Sequence, residues 1–319
     1  MLEEWMSIGN MSKRQSLMQA SRLSHRYVLL FMALPSFILL ILFSYIPIWG
    51  WAIAFVDYIP GVPIRESTFV GFKYFSRIFS AGSEFFMVIR NTVVLSGLRI
   101  LLSPVPILLA IMISEVANNR YKRLVQTLMS LPNFISWIVV YSLFFSLLSV
   151  NEGLINQILV NKTGLLDRGI DFLAKPEYSW PMMTIANVWK ESGWVAIIYL
   201  AAISGIDKEQ YQAAQIDGAN KLQQTLYITI PGILPTFAVM FILSVGNIFN
   251  AGFDQYFVFN NAMVHEQIEV IDTYVYRLGL QNANFSLATA VGVFKTFISI
   301  TLLLIANTVN KKIMGNGLL

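Results

Sequence analysis

Apolar residues along this chain collect into six long runs, separated by polar connections of two kinds. The runs lie at about Val28 to Ile48, Thr92 to Ile113, Thr127 to Val150, Pro181 to Ser204, Gly232 to Ala251 and Ala288 to Val309. Each is close to the roughly 20 residues that a helix needs to cross a bilayer. The pattern therefore predicts six spanning helices. The first run is too long for a cleavable signal peptide, and no small-residue cleavage site follows it. The connections at about 50 to 91, 151 to 180 and 252 to 287 are long.

Composition agrees with the pattern. The chain has 319 residues, 56% of them hydrophobic and 13% charged. Its mean hydropathy is +0.61. A soluble domain carries about 25% charged residues, so this chain has too little polar surface to coat a soluble particle. The net charge of +4 reads as a topological bias and not as nucleic-acid binding, since cations near span ends mark the cytoplasmic side. Lys13, Arg14, Arg22, Arg26, Arg120, Lys122, Arg123, Lys208, Lys221, Lys311 and Lys312 all fall on the side that carries both termini. Expected organisation follows: a cytoplasmic segment at 1–26, a six-span domain at 27–312 and a cytoplasmic tail at 313–319.

Several chemistries drop out. Cysteine is absent, which removes disulfides, zinc–thiolate sites and iron–sulfur clusters. His25 and His265 read as loop residues without partner ligands, so no metal site is expected. No phosphate-binding Gly-x-x-x-x-Gly-Lys-Ser/Thr loop occurs, so any ATP hydrolysis must be done by another polypeptide. No nucleophile–base pair suggests an enzyme.

The connection between the fourth and fifth runs differs in texture. It reads Gly205-Ile206-Asp207-Lys208-Glu209-Gln210-Tyr211-Gln212-Ala213-Ala214-Gln215-Ile216-Asp217-Gly218-Ala219, and continues to Pro231 and Pro235. Asp207 is a good N-cap, and Gln210 three residues on completes a capping-box pattern. Gly218 supplies a left-handed stop. A helix of about ten residues is expected, then a turn, then a second short helix ending at Pro231. Ala213 and Ala214 leave room for another surface to come close. Two readings fit: a helix that seats in a partner's groove, or a re-entrant turn packed on its own bundle. The stretch from Val70 to Phe79 likewise fits either an interfacial amphipathic helix or a loop helix packed on the bundle.

Polar residues inside spans are costly and commonly face a cavity or another helix. The fourth run holds Asn187, Trp189, Lys190, Glu191, Ser192 and Trp194; the fifth holds Ser244, Asn247 and Asn250; the sixth holds Lys295 and Asn307. Trp and Asn suit sugar recognition, through flat apolar ring faces and amide hydrogen bonds. The candidate path residues are Trp189, Trp194, Asn247, Asn250 and Lys295. Lys295 would favour an anionic cargo.

The spacing Gln212-Ala213-Ala214, Asp217-Gly218-Ala219 and Ile230-Pro231 resembles the EAA loop of permease subunits in binding-protein-dependent ABC importers, within the carbohydrate branch. Leu131-Pro132-Asn133-Phe134-Ile135-Ser136-Trp137, Gly193-Trp194 and Asp272 to Leu280 resemble the subgroup that imports oligosaccharides and polysaccharide fragments, alginate- and pectin-derived ones included. The likeness runs from about Arg26 to Lys312. It implies an all-α integral membrane fold, a type I ABC importer permease core of six transmembrane helices, with a cytoplasmic coupling helix in the loop 205–231. It implies a multi-pass protein of the bacterial inner membrane, working beside a second related permease, two ABC ATPase copies that bind ATP and Mg, and an extracytoplasmic solute-binding protein. Glu209, Gln212, Ala213, Ala214, Asp217, Gly218, Ala219 and Pro231 become the residues expected to couple to the ATPase. Gln212 stands where the family usually has Glu, and Glu209, on the same helix face, is expected to replace it. The alternative is an ion-coupled secondary transporter, which predicts an inverted repeat and carboxylates in broken helices near the midplane; no such repeat is seen, and the spans contain almost no Asp.

Overall fold

A computed structural model describes residues 27–314 except residue 81. The backbone is almost entirely helical. Helix α1 spans Tyr27–Phe55, winding tighter as a 3₁₀ helix over Ile46–Phe55. A two-residue hairpin follows, Val56–Asp57 (β1) against Thr68–Phe69 (β2), with Val56 opposite Phe69. The rest of the chain forms α2 (Lys73–Ser80), α3 (Ser83–Leu101), α4 (Pro104–Ser114), α5 (Asn119–Ser130), α6 (Trp137–Leu148) and α7 (Pro176–Ser204). Then come α8 (Lys208–Ile216), α9 (Lys221–Gln224), α10 (Ile230–Gly246), α11 (Asp254–Phe259), α12 (His265–Ile268), α13 (Ile271–Tyr276) and α14 (Phe285–Met314).

Among the described residues, four continuous helices are long and apolar enough to cross a membrane: Tyr27–Phe55, Glu84–Ser114, Lys221–Gly246 and Phe285–Lys312. The third predicted span is broken. Asn119–Phe134 and Trp137–Leu148 meet at an angle of 100°. Pro132 sits in a short 3₁₀ turn there, and the Ser136 hydroxyl caps the restarted helix by accepting from the Val139 amide at 3.5 Å. Helix α7 has 29 residues, about 43 Å at 1.5 Å per residue, which is ample to span. Its polar residues Asn187, Lys190 and Ser192 are turned into the bundle and buried.

Three apolar clusters hold the helices. One joins the end of α1 to α2, α3, α13 and α14 through Ala54, Ile78, Phe85, Tyr274 and Val291. A second joins α3, α6, α7 and α11 through Leu95, Val140, Met183 and Tyr256. The third joins α4, α7 and α10 through Ile113, Tyr199 and Ile233. The outside of the bundle is lined by exposed Leu, Ile, Phe and Trp, and much of α1 lies clear of the other helices. A surface this apolar is stable only against lipid or another apolar protein face.

Two long connections are better ordered than their sequences suggest. Helix α2 buries Tyr74 and Ile78 on the bundle while Phe72 and Phe79 stay exposed, so the packed reading of this segment holds for one face. The connection 252–287 folds back into the bundle. Glu269 is 1% exposed and meets Arg277 Nε at 2.7 Å and His265 Nε2 at 3.2 Å. His265, read from sequence as a loop residue, opens a single helical turn. The buried Asn91 amide ties the connection to α3, donating to the carbonyls of Glu266 at 2.9 Å and Glu269 at 3.1 Å.

Candidate functional site: an exposed helix and an intramembrane cavity

Helix α8 forms as its sequence predicts. The Asp207 carboxylate caps it by accepting from the Glu209 amide at 3.0 Å. Gly218 ends it at φ +78°, and the Ala219 amide bonds back to the Ala214 carbonyl at 2.8 Å, which is the closure that a left-handed terminator permits. The reciprocal capping box falls one helix later, between Asn220 and Gln223 at the start of α9, and not between Asp207 and Gln210.

No residue of α8 is buried. Glu209, Gln212, Ala213, Asp217 and Gly218 are exposed, and Ala214 and Ala219 are half-buried. Ile216 is 86% exposed, an apolar side chain offered outward at the helix end. A re-entrant turn packed on its own bundle would bury such a face; α8 does not. It is tethered at its margins. The Tyr211 and Thr229 hydroxyls are 2.9 Å apart. Ile206 sits so close over Gly232 that a Cβ there would lie 2.6 Å from its Cδ1. Lys221 pairs with Glu115 at 2.9 Å, placing the loop beside the connection that follows α4.

The expected second short helix does not end at Pro231. From Lys221 to Gly246 the chain is one helix. Proline lacks the N–H that an α-helix needs at that point. A π turn over Thr225–Thr229 re-pairs the backbone just before Pro231, and the helix runs on.

Behind this loop, within the spans, lies a cavity of about 360 Å³ between α3, α4, α7 and α10. Asn247 and Asn250 line it, as do Arg99, Asn187, Glu191 and Ser244. The Asn250 amide donates to Asn247 Oδ1 at 3.2 Å, so the two side chains act as one polar unit. The Asn187 amide donates to Glu191 Oε1 at 3.0 Å. Amides, a hydroxyl, a carboxylate and a guanidinium facing one space form a surface able to exchange hydrogen bonds with a hydroxyl-rich solute.

The remaining candidates lie elsewhere. Trp194 is partly exposed and packs edge-on against Phe134 at 5.5 Å. Trp189 is partly exposed too. Neither borders this cavity. Lys295 is ion-paired with Asp272, whose carboxylate also accepts from the Gly252 amide at 3.2 Å. Lys190 is buried and donates to the carbonyls of Asn133 at 2.6 Å and Pro132 at 3.3 Å, with its ammonium 5.5 Å from the Trp137 ring centre. It thus fills the open carbonyls at the break between α5 and α6. Arg99 falls in the second apolar run but carries no local signal of its role; that it lines the same space as Asn247 depends on how α3 and α10 pack.

A bundle of spanning helices with an intramembrane polar cavity and a protruding capped helix defines a membrane transport component. The chain belongs to the family of binding-protein-dependent transport system inner membrane components, whose model matches residues 103–314. It is 42% identical over 298 residues to the polygalacturonan/rhamnogalacturonan transport system permease protein YteP of Bacillus subtilis, covering 93% of this chain and 92% of that one. It is 38% identical to protein LplB of the same organism, over 89% of each chain. Among solved structures it matches a chain of the bacterial alginate ABC transporter in complex with alginate pentasaccharide-bound periplasmic protein, with a TM-score of 0.83, 38% identity, and coverage of 92% of this chain and 98% of that one.

Proposed function

We propose that this chain is one permease subunit of an ATP-driven importer of acidic oligosaccharides. The observation that carries the reading is α8: capped at both ends, with no residue buried and ending in an outward Ile216. A helix of that kind is built to seat in a partner. The relatives name acidic polysaccharides, polygalacturonan/rhamnogalacturonan in one case and alginate in another. The polar cavity has the chemistry to pass such a solute.

In this reading a second permease completes the path. Two ATPase copies, which bind ATP and Mg, grip Glu209, Gln212, Ala213, Ala214, Asp217, Gly218 and Ala219 on the cytoplasmic side, with Pro231 in the helix behind them. An extracytoplasmic binding protein delivers the sugar. Both termini face the cytoplasm; the basic residues near α5, α8 and α14 support that side, as does the Lys221–Glu115 pair between two connections assigned to it. ATP binding draws the ATPases together, α8 carries the motion, and the cavity exchanges an inward for an outward opening.

The test is the reconstituted complex with binding protein and a panel of sugars. Uptake of oligogalacturonate or oligoalginate that needs ATP, together with sugar-stimulated ATPase activity, is the expected result. Uptake that persists without the ATPase and follows an ion gradient would support a secondary transporter instead. Glu209→Ala separately tests whether that carboxylate takes over from Gln212: coupling equal to wild type removes it from the contact.

A further inference from the structure

Three cations sit well inside spanning helices: Arg99 in α3, Lys190 in α7 and Lys295 in α14. A charge at that depth is costly unless something compensates it. Lys190 is compensated by two backbone carbonyls and Lys295 by Asp272. Arg99 is different. Among the described residues it forms no ion pair and no hydrogen bond, and its side chain lines the cavity that holds Asn247 and Asn250. A guanidinium has five donors in a rigid fork that matches a carboxylate. Here that fork has no hydrogen-bonding or ion-pairing partner among the described residues, on a residue that lines the cavity.

The groups around it divide the chemistry of a uronate. Asn187, Ser244, Asn247 and Asn250 can donate to or accept from ring hydroxyls. Glu191, on the same wall, can only accept when ionised. It therefore suits hydroxyl donors and repels a carboxylate placed beside it. A sugar acid entering this space would be oriented by both charges, with its carboxylate toward Arg99 and a hydroxyl toward Glu191.

We infer that Arg99 is a substrate-binding residue of the translocation cavity, which takes one uronate carboxylate of the passing glycan while Glu191 takes a hydroxyl. The inference rests on the acidic-oligosaccharide reading above and adds to it the residue that senses the acid.

The lack of cysteine permits a direct test on the whole importer complex in lipid nanodiscs. Val188→Cys places one thiol on the cavity wall at a lining residue given no part in binding, and maleimide labelling reads its accessibility. Trigalacturonate should protect this thiol at concentrations on the order of tenfold lower than its methyl ester does, the gain of a charge-assisted hydrogen-bond pair. Adding Arg99→Gln should abolish that preference for the acid. Arg99→Lys, which keeps the charge but loses the fork, should retain part of it and shows that the loss is not a folding failure. An acid preference unchanged in Arg99→Gln overturns the inference, as does a parent thiol protected by neither ligand. Trigalacturonate uptake by the wild-type complex reports on the proposed function separately: uptake alongside an unchanged preference leaves that function standing and removes Arg99 from it.

Discussion

Gly193 of α7 lies directly against the backbone of Met129 at the end of α5: a Cβ built on it would stand 1.8 Å from the Met129 carbonyl oxygen and 2.3 Å from its carbonyl carbon. The obstacle is main chain, so no rotamer change relieves it. The contact sits just before the break at Pro132 and sets how near α7 comes to it. Gly193→Ala should destabilise the protein by on the order of 3 kcal/mol, the upper part of the range for overpacking. Thermal unfolding of the solubilised complex measures this, and a midpoint equal to wild type would refute the close approach.

Gly218 presents the opposite case. Nothing lies within 4 Å of a Cβ placed there, but its φ is +78°. The cost of substitution is backbone strain alone, about 1–2 kcal/mol for an ordinary residue. Asn tolerates this region better than β-branched residues do. Gly218→Val should therefore weaken co-purification of the ATPase subunit, while Gly218→Asn should retain most of it. Equal retention by the two variants would show that the left-handed stop does not shape the docking helix.

Lys295 and Asp272 form an ion pair whose side chains are 15% and 21% exposed. Removing one partner of a buried pair leaves a charge stranded, at a cost of about 3–5 kcal/mol, whereas replacing both can be near neutral. Lys295→Met should lower the unfolding midpoint clearly, and Asp272→Asn added to it should restore much of the loss. An additive double variant would exclude the coupling.

Asp57, just past the end of α1, carries a pH dependence. Its carboxylate accepts from the Tyr74 hydroxyl at 2.6 Å and lies 3.5 Å from Lys73 Nζ. These contacts, the Tyr74 hydrogen bond first, hold the Asp57 carboxyl below the ordinary carboxylate range. The sign follows: a group with a depressed folded-state pKa stabilises the fold above its unfolded value of about 4, and loses that contribution as pH falls through the folded value. Asp57→Asn should slightly flatten the acid limb of the stability curve below about pH 4, the effect being damped by the exposure of the site. Tryptophan fluorescence, with Trp49 and Trp51 nearby in the chain, follows it; an unchanged limb would exclude Asp57 as its source.

The spans were legible because the cost of exposing backbone in lipid forces long apolar runs, and hydropathy alone carries that signal. The coupling helix was legible because its start and stop are local: Asp207 and Gly218 act within one turn of themselves. The break in the third span was not. Pro132 fits equally well near the start of a continuous helix, and only the Ser136 cap and the Lys190 bonds from another helix reveal a corner. Lys295 read as a spare cation because its partner lies 23 residues upstream, in a stretch whose pattern suggested an outside loop. Asn247 and Asn250 could be picked out as polar residues within one apolar run, yet Arg99 could not be joined to them without knowing which faces of α3 and α10 meet.

The continuous helix from Lys221 to Gly246 puts the end of the α8 loop and part of the cavity wall on a single rod. At 1.5 Å per residue the rod is about 39 Å long. Pivoting it by about 5° about the Lys221 end sweeps Gly246 sideways by roughly 3 Å over that length, close to the width of a hydroxyl group. The π turn at Thr225–Thr229 and Pro235 are compliant points in that rod, and both precede the cavity-lining residues Ser244 and Asn247. Helix beyond them means that Ser244 and Asn247 travel together, so the solute meets a wall that shifts as a unit.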